Sequence, residues 1–110
     1  MITTHVLDTA AGRPAAGVPV RLERAGGAGR EIGRGVTDRD GRMRTFVREG
    51  HPLEAGTYRL VFDTASYFRA SGVDGFFPEV TIVFDIRDPA QHYHVPLLLS
   101  PFGYSTYRGS

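Results

Sequence analysis

Glu79-Val80-Thr81-Ile82-Val83-Phe84-Asp85-Ile86 is the stretch that decides the fold class. Val80, Ile82, Phe84 and Ile86 alternate with Glu79, Thr81, Val83 and Asp85, and a period of two is the signature of a strand with one face buried. Working outward, the same alternation recurs where Tyr58, Leu60 and Phe62 interleave with Thr57, Arg59 and Val61. It recurs again where Val18, Val20 and Leu22 interleave with Pro19, Arg21 and Glu23. Shorter or mixed strands are expected over residues 2–7, 32–37, 43–48 and 93–99. Turn signals separate them: Gly12-Arg13-Pro14, Gly26-Gly27, Asp38-Arg39-Asp40-Gly41, Glu54-Ala55-Gly56 and Asp88-Pro89. Seven or eight short strands at 10–15-residue spacing describe an all-β sandwich.

One segment breaks the pattern. Residues 64–71 read as a two-turn helix, with Asp63 or Thr64 as N-cap and Gly72 as the residue past its end. Near the far end, Ser100-Pro101-Phe102-Gly103 has the composition of a type I turn. It should fold the preceding strand back onto residues 104–107 as a terminal hairpin.

Composition narrows the chemistry. The 110 residues are expected to form one domain, residues 1–110, and 41% hydrophobic with 23% charged residues is globular rather than disordered. No cysteine is present, which excludes a disulfide framework, a thiol nucleophile and a zinc ribbon. All thirteen basic residues are arginine, so a Schiff-base or P-loop lysine is excluded too. Residues 1–50 carry nine arginines against six acids and the remainder four against six, too mild an asymmetry for a nucleic-acid footprint. No apolar stretch approaches the ~20 residues of a membrane span. Met1-Ile2-Thr3-Thr4-His5 does not read as a secretory signal, so a cytoplasmic location is the default expectation.

Reactive chemistry is therefore left to histidine, arginine, tyrosine, serine and the carboxylates. Of His5, His51, His92 and His94, the last two lie two apart in an expected strand and share a face. The pair reads either as an acid–base or metal-binding group or as two histidines on a polar strand face, and spacing alone does not choose. A three-histidine zinc site would need His5 as its third ligand. Asp38-Arg39-Asp40-Gly41 reads as a hairpin turn, with local Asp hydrogen bonds and a positive φ at Gly41. It is too short for a calcium loop. Arg42 lies just beyond it. The aromatics Phe102, Tyr104 and Tyr107 argue that the terminal tail packs on something.

Taken together, these pieces resemble the transthyretin-like family. Thr4-His5-Val6-Leu7-Asp8-Thr9-Ala10-Ala11-Gly12-Arg13-Pro14-Ala15 looks like its N-terminal signature. His92-Tyr93-His94-Val95-Pro96-Leu97-Leu98-Leu99-Ser100-Pro101-Phe102-Gly103-Tyr104-Ser105-Thr106-Tyr107-Arg108-Gly109-Ser110 looks like its C-terminal one. Phe76-Phe77-Pro78-Glu79-Val80 fits the same family, and the closing Tyr-Arg-Gly-Ser resembles the enzyme branch, the 5-hydroxyisourate hydrolases, rather than the hormone carriers. The middle, residues 36–42 and 53–60, also resembles carboxypeptidase regulatory-like and collagen-adhesin B-type modules, so the termini decide.

The resemblance implies a transthyretin-like (prealbumin-like) sandwich of two four-stranded sheets with one short helix near residues 64–71. It implies a homotetramer with sites at the interface between dimers. It also implies hydrolysis of 5-hydroxyisourate to 2-oxo-4-hydroxy-4-carboxy-5-ureidoimidazoline in urate catabolism, with no metal or cofactor. The family's catalytic positions fall on His5, Arg42 and His94, and its substrate-binding positions on His92, Tyr107, Arg108, Gly109 and Ser110. Histidine suits water activation near neutrality, and a fixed guanidinium suits an oxyanion. A non-catalytic small-molecule carrier of the transthyretin type is the alternative.

Overall fold

A computed structural model describes residues 1–26, 30–44 and 53–110. The chain runs β1 (Ile2–Asp8), β2 (Arg13–Pro14), β3 (Pro19–Arg24), β4 (Arg30–Val36), β5 (Arg42–Arg44), β6 (Gly56–Phe62), α1 (Thr64–Ala70), β7 (Val80–Ile86), β8 (Tyr93–Ser100) and β9 (Gly103–Thr106). One sheet has the order β4-β3-β6-β7; the other has β2-β1-β8-β9, with β5 also paired to β1. This is the expected sandwich with one correction: the second sheet has five strands, not four. β8 takes one whole edge of β1, so the short strands β2 and β5 lie end to end along the other. The expected strand over 43–48 begins at Arg42, and residues 45–48, like His51, lie outside the described residues.

The three alternating segments follow their pattern except at Val61, which lies on the outer face of β6 and is nonetheless buried. Val20 and Leu22, Tyr58, Leu60 and Phe62, and Val80, Ile82 and Ile86 are all buried, while Arg21, Arg59, Thr81 and Val83 face outward. Ile2, Val6, Tyr93, Val95, Leu97 and Leu99 meet them from the other sheet. Burying one such side chain fully contributes roughly 1.5–3 kcal/mol, so these inner faces hold the sandwich together.

Helix α1 has the expected ends. Asp63 caps it by accepting the Ser66 N–H at 3.1 Å, and Gly72 adopts φ +68° just past the C-cap Ser71. The Tyr67 hydroxyl donates to Asp8 Oδ2 at 2.7 Å, which ties the helix to the end of β1. Burial and the adjacent carboxylate push that phenol up to about 12. The terminal hairpin also forms, with Leu99 opposite Tyr104 and Ser100 opposite Gly103.

Two turns differ from expectation. The Asp8 carboxylate accepts the Ala11 N–H and its carbonyl accepts the Gly12 N–H, so the first turn closes by Gly12 and frees Arg13 and Pro14 to pair with β1. Asp38-Arg39-Asp40-Gly41 is not a hairpin between partners. It carries the chain from β4 in one sheet to β5 in the other. Among the described residues, no helix is long and apolar enough to cross a membrane.

Candidate active site

Strand β1 gathers the site because both of its edges are occupied. Ile2, Thr4 and Val6 point into the core, so Thr3, His5 and Leu7 point outward. On one edge the antiparallel β5 sets Arg42 opposite His5 and Arg44 opposite Thr3. On the other, the parallel β8 sets His94 opposite Thr3. Residues opposite one another share a face, so two arginines, two histidines and a threonine project from one surface. His92, two residues before His94, joins them with its ring centroid 6.3 Å from that of His94.

The crossing turn places Arg42. Asp38 Oδ1 accepts the N–H groups of Asp40 and Arg42 at 2.9 and 3.0 Å. The hydrogen bond from Arg42, with that from Asp40 and the charges of Arg44 and Arg42, holds the Asp38 carboxyl below the usual carboxylate range. Gly41 sits at φ +75°, its carbonyl accepting the Val6 N–H at 2.7 Å, and a Cβ there would strike the Val6 carbonyl oxygen. The glycine is required for both the backbone conformation and the close approach. Docking the turn on β1 fixes the register that sets Arg42 against His5.

Around His94 the contacts are closest. Thr3 is only 7% exposed, and its Oγ1 lies 2.7 Å from His94 Nδ1 and 2.8 Å from His92 Nε2. Burial, then the charge of Arg42, then His92 and His5 lower the His94 pKa below the ordinary histidine value, while a hydrogen bond to the Thr3 backbone works against them. A lowered value keeps the half-buried imidazole neutral, and thus able to accept a proton, near pH 7.

The tail reaches the same place. The Gly109 N–H donates to the His94 carbonyl at 2.8 Å, and a Cβ on Gly109 would press on the His94 ring at Cδ2. Arg108 turns elsewhere: it donates to Gln91 Oε1 at 3.1 Å and its guanidinium lies 4.6 Å from the centroid of the Tyr93 ring. Tyr93 points to the opposite face of β8 from His94. Tyr107 is more than half exposed beyond β9, and Ser110 is exposed.

Thus His5, Arg42, His92, His94 and Gly109 come together, whereas the Arg108 side chain does not join them. Thr3 and Arg44 were missed by sequence reasoning. Their only local signal is alternation with His5 and Arg42, which becomes informative once the pairing of β1 is known. Among the described residues, no cluster of three or more His, Cys, Asp or Glu side chains is arranged to hold a metal ion.

A profile of the HIUase/Transthyretin family matches residues 2–109. The "5-hydroxyisourate hydrolase 2" of Rhizobium meliloti (strain 1021) is 52% identical, the alignment covering 99% of this chain and 95% of that protein. The solved structure of Klebsiella pneumoniae 5-hydroxyisourate hydrolase superposes with a TM-score of 0.86 at 41% identity, covering 99% and 98% of the two chains. Sea bream transthyretin, solved in complex with thyroxine, superposes with a TM-score of 0.89 at 34% identity over 98% and 93%. The chain belongs to the HIUase/Transthyretin family.

Proposed function

We propose that this protein hydrolyses 5-hydroxyisourate, opening the six-membered ring at an amide bond to give 2-oxo-4-hydroxy-4-carboxy-5-ureidoimidazoline in urate catabolism. The observation that carries the proposal is the grouping on the outer face of β1, where β5 and β8 bring Arg42 and His94 to His5. His5 and His94 share water activation and proton transfer. One imidazole takes a proton as water oxygen bonds to the ring carbonyl carbon. The resulting oxyanion lies against the Arg42 guanidinium, whose planar donors suit a flat, polar heterocycle. Collapse breaks the carbon–nitrogen bond, an imidazole N–H supplies a proton to the departing nitrogen, and a carboxylate remains while the second proton of water is released to solvent. His92 and the tail of Tyr107, Arg108, Gly109 and Ser110 form the substrate-binding side. In this reading Arg108 acts through Gln91 and Tyr93, holding the tail against β8.

The proposal includes a homotetramer acting in the cytoplasm, with each site completed where two dimers meet. Two features support the assembly: the histidine group stands on the side of β1 turned away from its own core, and β7 and β9 end their sheets. The test is ultraviolet spectroscopy of urate with urate oxidase, with and without this protein. Faster loss of the 5-hydroxyisourate absorbance is expected. An unchanged decay together with stoichiometric binding of small aromatic ligands would favour the carrier reading, which the likeness to sea bream transthyretin keeps in view.

A further inference from the structure

Thr3 presents one hydroxyl to two imidazoles, and this constrains both rings. Its Oγ1 is 2.7 Å from His94 Nδ1 and 2.8 Å from His92 Nε2, and among the described residues it has no third partner. A hydroxyl has one proton to give. At 7% exposure that proton has nowhere to go except a ring nitrogen, since leaving it unbonded would waste a buried donor. Between neutral rings, then, one nitrogen receives the Thr3 proton and the other donates its own N–H to the Thr3 oxygen. Only two arrangements remain. Either His94 Nδ1–H donates to Thr3 and Thr3 donates to His92 Nε2, or both bonds run the opposite way.

The arrangements differ at the far nitrogen of His94. In the first, Nδ1 carries the proton and Nε2 is a lone pair; in the second, Nε2 carries the proton and cannot act as a base. Resting on the reading that His94 accepts a proton from water, we propose that the Thr3 hydroxyl fixes His94 as its Nδ1–H tautomer and links it to His92. Thr3 and His92 are then positioning residues for the hydrolysis. When water gives its proton to His94 Nε2, the Nδ1–H proton shifts to Thr3 Oγ1 as the Thr3 proton shifts to His92 Nε2. His92, which is exposed, then releases its Nδ1 proton to solvent. Every bond made is matched by one broken, and the charge leaves the half-buried ring. The other groups facing this chain are His5 from β1 and Arg42 and Arg44 from β5. Arg108 of the tail is engaged with Gln91 and Tyr93.

The test pairs Thr3→Val, which keeps the shape and removes the hydroxyl, with Thr3→Ser, which keeps the hydroxyl. Nitrogen-15 NMR of the histidine rings in the free protein should show His94 as Nδ1–H in the wild type and in Thr3→Ser, and as a mixture in Thr3→Val. Thr3→Val should lower kcat about 10- to 100-fold with KM little changed, the scale expected when a working imidazole loses the group that orients it. Its acid limb should move to lower pH, because the imidazolium loses an acceptor. Thr3→Ser should restore both. An Nε2–H His94 in the wild type, a fully active Thr3→Val, or a Thr3→Ser as impaired as Thr3→Val would each overturn the relay. His94→Ala separates the two levels. If it is inactive while Thr3→Val is unaffected, the relay alone fails; if it is active, the underlying reading fails as well.

Discussion

The two sheets turn very different outer faces to their surroundings, although arginine is prominent on both. On the β4-β3-β6-β7 sheet, arginines are matched by glutamates: Arg21 and Arg59 share Glu23 at 2.7 and 3.2 Å, and Arg34 meets Glu31 at 2.6 Å. A groove of about 440 Å³ on that face is lined by Arg21, Glu31 and Arg34 with Val36, Val61 and Asp63, so its charges are already answered. On the β1 face, no described carboxylate comes within ion-pair distance of Arg42, and its neighbours are imidazoles. An arginine beside a glutamate is satisfied by the fold. One beside imidazoles keeps its charge for a ligand, and its field helps keep His94 neutral.

The sharpest way to break this contrast is to remove one arginine from each face. Arg42→Ala should lower kcat by at least about 10²-fold, the usual effect of losing one oxyanion donor, with the particle size in solution unchanged. His94→Ala should cost about 10²–10⁴-fold as a lost base. Arg34→Ala, on the other sheet, should leave kcat unchanged. Steady-state kinetics with light scattering checks all three, and near wild-type turnover in both Arg42→Ala and His94→Ala would end the site assignment.

A smaller effect probes the tail. Gly109→Ala places a methyl group against the His94 ring, which must shift. Turnover should fall about 10-fold or more, as for other displacements of a working histidine, while thermal stability changes little because the bridge lies at the rim of the sheet. An Ala variant with unaltered kcat would show that the ring is free to move without consequence.

These contrasts rest on pairings that sequence shows unevenly. The strands β3, β6 and β7 are legible because each presents one core-facing side more deeply buried than the other, apart from Val61, and burial writes a period of two. Asp63 and Gly72 mark the ends of α1 because capping is local chemistry, and Pro101 with Gly103 marks the last hairpin for the same reason. The parallel pairing of β1 with β8 leaves no such trace. His94 lies opposite Thr3 across 91 residues, and no local rule selects that partner. The sharing of one β1 edge by β2 and β5, and the sheet-to-sheet crossing at Asp38-Arg39-Asp40-Gly41, were hidden likewise. His5, Arg42 and His94 were found through family resemblance; Thr3 could be found only in the folded chain.

Acid should separate the faces next. The lowered His94 pKa places the acid limb of kcat/KM below the ordinary histidine value of about 6.5. The unfolded chain binds the proton more readily than the folded one. This contribution to stability is therefore complete above about 6.5 and is lost as pH falls through the folded-state value. A kcat/KM profile with its acid limb above that value would contradict the neutral-imidazole account.

The mildest test belongs to the other sheet. The hydrogen bond from Arg21, helped by Arg59, holds the Glu23 carboxyl below the ordinary glutamate range, so its contribution is present above that range and fades as pH falls through the lowered value. The Glu23 side chain is 17% exposed and that of Arg21 38%, so solvent screens the pair strongly. Glu23→Gln should therefore destabilise by no more than about 1 kcal/mol, and kcat should not move. Denaturant unfolding at neutral and acidic pH reads the first expectation, since the difference between wild type and variant should shrink in acid. A fall in kcat would show that the charge-matched face communicates with the histidines. An unchanged kcat with the small, acid-sensitive loss would confine Glu23 to holding its own sheet, leaving the β1 face as the place where charge is kept available.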